Sequence, residues 1–502
     1  MEFIDHLALG FSVALEWQNL LYCLIGVLLG TVVGILPGLG PLATIAMLLP
    51  LTFGMSATQS LIMLAGIYYG SQYGGSTTAI LINLPGESSS VVTAIDGYRM
   101  AQKGRGGPAL AAAAISSFIA GCAATLIIAV VATPLTRLAL SFGAAEYFSL
   151  LLVGLFSSIA LASGSILKAI GMICLGLLIG LTGTDVYTAA PRFTFGFNEM
   201  LDGVDFVAIA VGIFGIGEIL RNLEHSAGGG RTVVSKVTSI MPNRDEFRRI
   251  VAPSVRGTAI GSFLGILPGG GALLSSFVAY NLEKKVSPNA AQFGKGAIEG
   301  VAAPEAANNA GAQTSFIPML SLGIPSNVVM ALMIGAMTVQ GIAPGPEVLT
   351  KQPDLFWGLI ASMWIGNAML VILNFPLIGI WVRLLTIPYS TLFPAIIVFC
   401  CIGVFSVGNS GFDVYTALIA GLIGYVLVKL GFELPPFVLG FILGPMLEEN
   451  LRRALLISGG DLTIFVTRPI SATLLAIAVI TLIVVSLPGI AKKRQVLFAE
   501  GD

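Results

Sequence analysis

Residues 34–40 read Gly-Ile-Leu-Pro-Gly-Leu-Gly and residues 265–271 read Gly-Ile-Leu-Pro-Gly-Gly-Gly: one helix-breaking heptapeptide occurs twice, 231 positions apart, each time inside an apolar stretch. An unsatisfied peptide group in hydrocarbon costs several kcal/mol, so a helix inside a bilayer breaks only where protein, ions or water receive the freed groups. A break therefore points to a polar cavity. Recurrence at matching places in two halves of one chain predicts paired discontinuous helices that meet at a substrate site.

Working outward, 56% of the 502 residues are hydrophobic and 10% charged, with a mean hydropathy of +0.92. A soluble domain carries about 25% charged residues, so this composition excludes a soluble globule. Cys23, Cys122, Cys174, Cys400 and Cys401 all lie in apolar segments, where thiols act as small hydrophobes and define neither a disulfide framework nor a metal cluster. A formal net charge of −1 gives no basic surface for nucleic acid. Glu2 and Asp5 occur near the start and no Lys or Arg precedes Arg99; without a basic n-region this is not the pattern of a cleaved signal, and the mature chain is expected to start near Met1.

The expected fold is an all-α polytopic integral membrane protein with about 10–12 transmembrane helices plus re-entrant or broken helices. Apolar segments 41–53, 76–84, 256–267, 272–280 and 313–324 are short and bounded by Gly, Pro or polar clusters, which suits half-helices. The expected organisation is a first membrane repeat over 1–220, a cytoplasmic linker over 221–255, a second repeat over 256–468, and an extra C-terminal helix with a basic tail over 469–502. The duplication extends to Gly183-Thr184-Asp185-Val186-Tyr187-Thr188-Ala189 against Gly411-Phe412-Asp413-Val414-Tyr415-Thr416-Ala417, and to Leu84-Pro85-Gly86 against Ile324-Pro325-Ser326. Placing the Arg221–Arg256 linker and the Lys492-Lys493-Arg494 tail inside gives inverted repeats, although the loop with Arg99, Lys103 and Arg105 and the pair Arg452-Arg453 do not obviously fit.

The helix starts after the breaks carry free N–H groups and partial positive charge, enough to attract a carboxylate without a buried Lys or Arg. This makes Pro37, Gly38 and Gly40, with Gly269, Gly270 and Gly271, candidate substrate contacts. Near the second break of each half, polar side chains concentrate: Ser71, Ser76, Thr77, Thr78 and Ser88 in the first, Asn308, Asn309, Ser326 and Asn327 in the second. Hydroxyls and carboxamides can hydrogen-bond a carboxylate, and their oxygens can coordinate a sodium ion; equally, Ser and Thr can bond their own helix backbone. Glu305 is the first candidate for the coupling ion, sodium or a proton, with Glu87 second and Asn308 a further ligand; a structural role beside Lys295 and Glu299 is the alternative for Glu305. Asp185 and Asp413 sit where spans begin or end, which suits capping. No cofactor is expected.

These motifs resemble the large permease subunit of the tripartite tricarboxylate transporter family. The resembling stretches are the first cassette, Leu84-Pro85-Gly86-Glu87 with Asp96-Gly97-Tyr98, residues 300–310 from Gly300 through Pro304-Glu305 to Asn308-Asn309-Ala310, Gly323-Ile324-Pro325, and Leu447-Glu448-Glu449-Asn450-Leu451-Arg452-Arg453. The resemblance implies a bacterial inner-membrane, ion-driven importer of small organic carboxylates that works with a small membrane subunit and a periplasmic solute-binding protein. Two other classes are weighed against it. An intramembrane enzyme of the Ser–His or zinc type would need histidines within spans, whereas His6 and His225 fall in the N-terminal segment and the linker; an aspartyl protease would use Asp185 and Asp413. A passive anion channel would conduct without ion coupling. A phosphate-binding Gly-rich loop ending in Lys-Ser/Thr does not occur in the sequence.

Overall fold

The computed structural model describes residues 2–36, 40–161, 165–226, 241–267, 271–374, 377–384 and 389–486. Pro37, Gly38, Gly269 and Gly270, the centre of the linker and the basic tail lie outside the described residues. The first part runs α1 (Glu2–Ala14), α2 (Trp17–Ile35), α3 (Pro41–Leu48), α4 (Ala57–Ile82), α5 (Val91–Gln102), α6 (Gly106–Ala139), α7 (Ala144–Leu161) and α8 (Ile166–Gly180). A small antiparallel hairpin, Gly183–Thr184 with Pro191–Arg192, precedes α9 (Phe206–Ala210), a π-helical turn over Val211–Ile216 and α10 (Gly217–Ser226). The second part runs α11 (Arg244–Ile266), α12 (Gly271–Val286), α13 (Glu299–Thr314), α14 (Phe316–Leu322), α15 (Val328–Val339), α16 (Pro346–Lys351), α17 (Pro353–Asn374), α18 (Ile378–Leu384), α19 (Tyr389–Gly408), α20 (Gly411–Lys429), α21 (Leu434–Ile457), α22 (Ile464–Thr467) and α23 (Pro469–Ser486). The protein is thus an all-α polytopic membrane protein. Among the described residues, five helices are long and apolar enough to cross a bilayer alone: Trp17–Ile35, Gly106–Ala139, Phe206–Glu224, Pro353–Asn374 and Gly411–Lys429.

Local chemistry sets the helix starts. Ser56 and Gln59 close a capping box before α4, and Asn243 and Glu246 close one before α11, so that helix begins inside the stretch expected to be linker. Segment 76–84, expected as a half-helix, is instead the last turns of the continuous 26-residue α4. Segment 41–53 does form a short helix, α3, followed by a 3₁₀ turn over Leu49–Gly54.

Two helix pairs pack in the same way. Gly26, Gly30 and Gly34 of α2 lie against the carbonyl oxygens of Met63, Ile67 and Ser71 of α4; Gly257, Gly261 and Gly265 of α11 lie against those of Ala303, Ala307 and Gly311 of α13. A Cβ at any of the six glycines would overlap partner backbone, which is the close approach that small residues permit between helices in lipid. The glycine ladders are offset by 231 residues and the carbonyl ladders by 240. The 240 offset continues to the helix ends, because α4 stops at left-handed Asn83 (φ 57°) and α14 at left-handed Gly323 (φ 72°). Leu84-Pro85 and Ile324-Pro325 follow these caps.

The pairs run in opposite directions. Along α4 from Ser76 back to Tyr68, the neighbours advance from Glu305 to Phe316. The chain just beyond α4 meets the starting ends of α11 and α13: Arg105 pairs with Glu246, Lys103 Nζ donates to the Lys295 carbonyl at 2.5 Å, and the Ala297 N–H donates to Asp96 at 2.9 Å. The basic Arg99–Arg105 loop therefore shares a face with the end of the linker. Helices α11 and α12 form a hairpin, with Arg256 bridging to Glu283 at 2.8 Å near its open end.

The second sequence likeness behaves differently. Residues 411–417 start helix α20, whereas residues 183–189 form a turn in which Asp185 accepts the N–H groups of Tyr187 and Thr188. Pro191 follows the first copy and cannot continue a helix, while Leu418 and Ile419 follow the second and can.

Candidate functional site

Four helices converge on Glu305. Its Oε1 accepts hydrogen bonds from Ser76 Oγ of α4 at 2.6 Å and Thr93 Oγ1 of α5 at 2.5 Å, while Oε2 accepts a longer one from Ser117 Oγ of α6 at 3.3 Å. The carboxyl is fully buried, and among the described residues no Lys or Arg pairs with it. Neither residue considered as its structural partner touches it: Glu299 binds Arg249 at 2.7 Å, and the Lys295 carbonyl is held by Lys103. One turn on from Glu305, Asn309 Nδ2 donates to Ser117 Oγ at 2.7 Å, and a further turn on, Thr125 Oγ1 donates to Gln313 Oε1 at 2.8 Å. Glu305, Asn309 and Gln313 thus form an i, i+4, i+8 polar strip against α6.

A small cavity borders this carboxyl. It is lined by Tyr73, Ser76, Thr77, Ser117, Glu305 and Asn374 together with Leu110, Ala113 and Ala114, and offers about 20 Å³ to the centre of a water molecule. That is room for about one water or a bare ion, and not for a tricarboxylate.

Glu87 anchors a second polar centre, in the loop after α4. Ser71 Oγ lies 2.8 Å from its Oε1 and Ser89 Oγ 3.0 Å from its Oε2, and Ser89 also reaches Gln72 Oε1 at 3.2 Å. Ser71 sits at the foot of the first cassette, where Gly34 packs on its carbonyl; Gly86 N–H donates to the Gly75 carbonyl at 3.4 Å and folds the loop back onto α4. In the other half Gly265 packs on Gly311 and Thr314, and Gly311 lies near Ala272 and Ser275 at the start of α12. The described residues flanking the second cassette thus meet at the level of Gly311. One turn earlier, Asn308 is fully buried, and neither its Nδ2 nor its Oδ1 has a partner among the described residues. A buried carboxamide without partners costs about 1–3 kcal/mol.

Of the remaining candidates, Gly40 is extended before α3 and a Cβ there would meet open space. Gly271 starts α12 in the left-handed region (φ 47°), also with open space around it. Thr77 borders the cavity, but its hydroxyl and that of Thr78 bond their own helix, to the carbonyls of Tyr73 and Gly75. Ser88 is exposed. Ser326 Oγ bonds the Ser315 carbonyl, and Asn327 caps α15 by accepting the Met330 N–H at 3.0 Å. Sequence reasoning missed Thr93 and Ser117. The available signal for Ser117 was a Ser-Ser pair inside an Ala-rich span, whereas Thr93 carried none. Asp96, part of the resembling Asp96-Gly97-Tyr98 stretch but given no role there, is buried and receives Tyr280 Oη and the N–H groups of Gly296 and Ala297 ahead of α13.

A polar centre in which, among the described residues, no basic side chain pairs with Glu305 lies buried among the crossing helices of this polytopic membrane protein. The sequence signature of the tripartite tricarboxylate transporter TctA family matches residues 20–439, and the chain belongs to that family. It is 59% identical over 503 residues to the uncharacterized 52.8 kDa protein in the TAR-I ttuC' 3' region of Agrobacterium vitis, across the full length of both chains. A second A. vitis protein, the uncharacterized protein in the TAR-II ttuC' 3' region, is 60% identical over 242 residues, covering 48% of this chain and all of its own. No solved structure matches. Family membership makes the chain a membrane-embedded subunit of a tripartite tricarboxylate transporter.

Proposed function

We propose that this chain is the permease of an ion-driven importer that moves small organic carboxylates across the bacterial inner membrane, working with a small membrane subunit and a periplasmic solute-binding protein. The carrying observation is the pair of matching helix ladders, α2–α4 and α11–α13, running in opposite directions with each leading helix ending at a cassette. Inverted units with discontinuous helices are the architecture of alternating access. The substrate carboxylates are received by the helix starts at Gly40 and Gly271 with Asn308, and Glu305 carries the coupling sodium ion or proton. No catalytic chemistry is assigned. In particular, Asp185 is engaged by Arg452 at 2.9 Å and by Arg192 at 3.4 Å, unlike the carboxyls of an aspartyl protease, which share a proton.

Counterflow of labelled di- and tricarboxylates in proteoliposomes, with and without a sodium gradient and with candidate binding proteins, tests the proposal. Saturable counterflow that responds to an ion gradient is expected. Gradient-independent flux would make the chain a channel.

A further inference from the structure

Glu305 presents an imbalance. Oε1 receives two short hydroxyl bonds, whereas Oε2, on the Ser117 side, receives one bond at 3.3 Å. Asn309 spends its amide on Ser117 Oγ and on the Glu305 carbonyl, leaving Oδ1 fully buried and without a donor. Tyr73 borders the cavity, is 4% exposed, and its hydroxyl has no partner among the described residues. A buried carboxylate without a compensating charge is strongly unfavourable. With its carboxyl ionised, Glu305 adds one negative charge to the oxygens of Ser117 and Tyr73 around a space of about one water.

We propose that Glu305, Ser117 and Tyr73, which border one cavity, form a binding site for one dehydrated monovalent cation of sodium's size, with Asn309 holding Ser117 in place. A single carboxylate among neutral oxygens balances one positive charge, whereas calcium or magnesium is ordinarily held by more carboxylates or by retained waters. Filling the site gives Oε2 its missing partner and ties α13 to α4 and α6. The inference rests on the transport reading above and names the ion that reading leaves open.

The test uses the full-length protein in detergent at fixed pH and ionic strength, following its thermal midpoint as sodium chloride replaces choline chloride or potassium chloride, with binding of radioactive sodium measured in parallel. Wild type should be stabilised saturably by sodium and little by potassium or choline. Glu305→Gln should lose the response, and Tyr73→Phe should weaken sodium affinity several-fold while keeping the fold. Should Glu305→Gln not fold, Tyr73→Phe and Ser117→Ala carry the test. Equal midpoints in sodium and choline, or full sodium binding by these variants, overturn the site. Carboxylate counterflow in the same preparation separates the two readings: counterflow without sodium binding removes the cation site alone, and sodium binding without counterflow removes the transport reading alone.

Discussion

Ser76 of α4 donates its hydroxyl to Glu305 of α13 at 2.6 Å, joining side chains 229 residues apart in the buried centre of the molecule. The bond ties the two oppositely directed helix pairs, so a change at the carboxyl is felt by both. Glu305→Gln is expected to lower gradient-driven carboxylate uptake at least about tenfold, the scale of a lost hydrogen bond to a charged group, while substrate-for-substrate exchange persists. Uptake with normal ion dependence would make Glu305 structural and turn attention to Glu87.

Asn308 and Asn327 separate binding from packing. Asn308→Ala removes a carboxamide without partners, and should raise the half-saturating substrate concentration several-fold with little change in thermal midpoint. Asn327→Ala removes the α15 cap and should cost about 0.5–2 kcal/mol of stability. Reversed effects in transport and thermal assays would exchange the two roles.

Glycines divide the same way. Gly30→Leu and Gly261→Leu drive a side chain into the backbone of Ile67 and Ala307, so the folded protein recovered from membranes should fall sharply, overpacking costing about 1–3 kcal/mol or more. Gly40→Leu meets open space and should leave abundance near wild type while abolishing transport, by filling the mouth of the break. Wild-type uptake by Gly40→Leu at equal abundance would exclude the break from the substrate path.

Opposed directions of the two ladders are directly measurable. In a cysteine-free background, Glu16→Cys before α2 and Met241→Cys before α11 should react with an impermeant maleimide from opposite sides of the membrane. Labelling of both from one side would rule out inversion.

Outside the spans, the backbone N–H of Thr188, then that of Tyr187, and the Arg452 guanidinium hold the Asp185 carboxyl down to about 2. The folded value lies below the ordinary 3.8, so the stabilisation is complete above that ordinary value and is lost as pH falls toward about 2. Asp185→Asn should therefore lower the thermal midpoint at pH 6, with the gap to wild type closing as the solution is acidified. A gap that stays constant down to pH 2 would show that the charge contributes nothing.

The sequence by itself determined the membrane class, the all-helical fold, the two cassettes and the carboxylates Glu305 and Glu87, because hydrophobicity, helix-breaking residues and the rarity of charge in apolar segments are local properties. It also overreached locally: residues 183–189 match 411–417 in letters and not in conformation, since Pro191 lies beyond the matched stretch and decides the outcome. Only tertiary structure revealed that Gly26, Gly30 and Gly34 repeat as Gly257, Gly261 and Gly265 in packing and that Thr93 and Ser117 complete the shell of Glu305, whereas inverted halves were already expected from the basic linker and tail. The physical reason is that a hydroxyl's partner is set by which helices touch. Thr93 and Glu305 are 212 residues apart, and nothing in the spacing of either segment encodes a contact that exists only once α5, α6 and α13 are packed together.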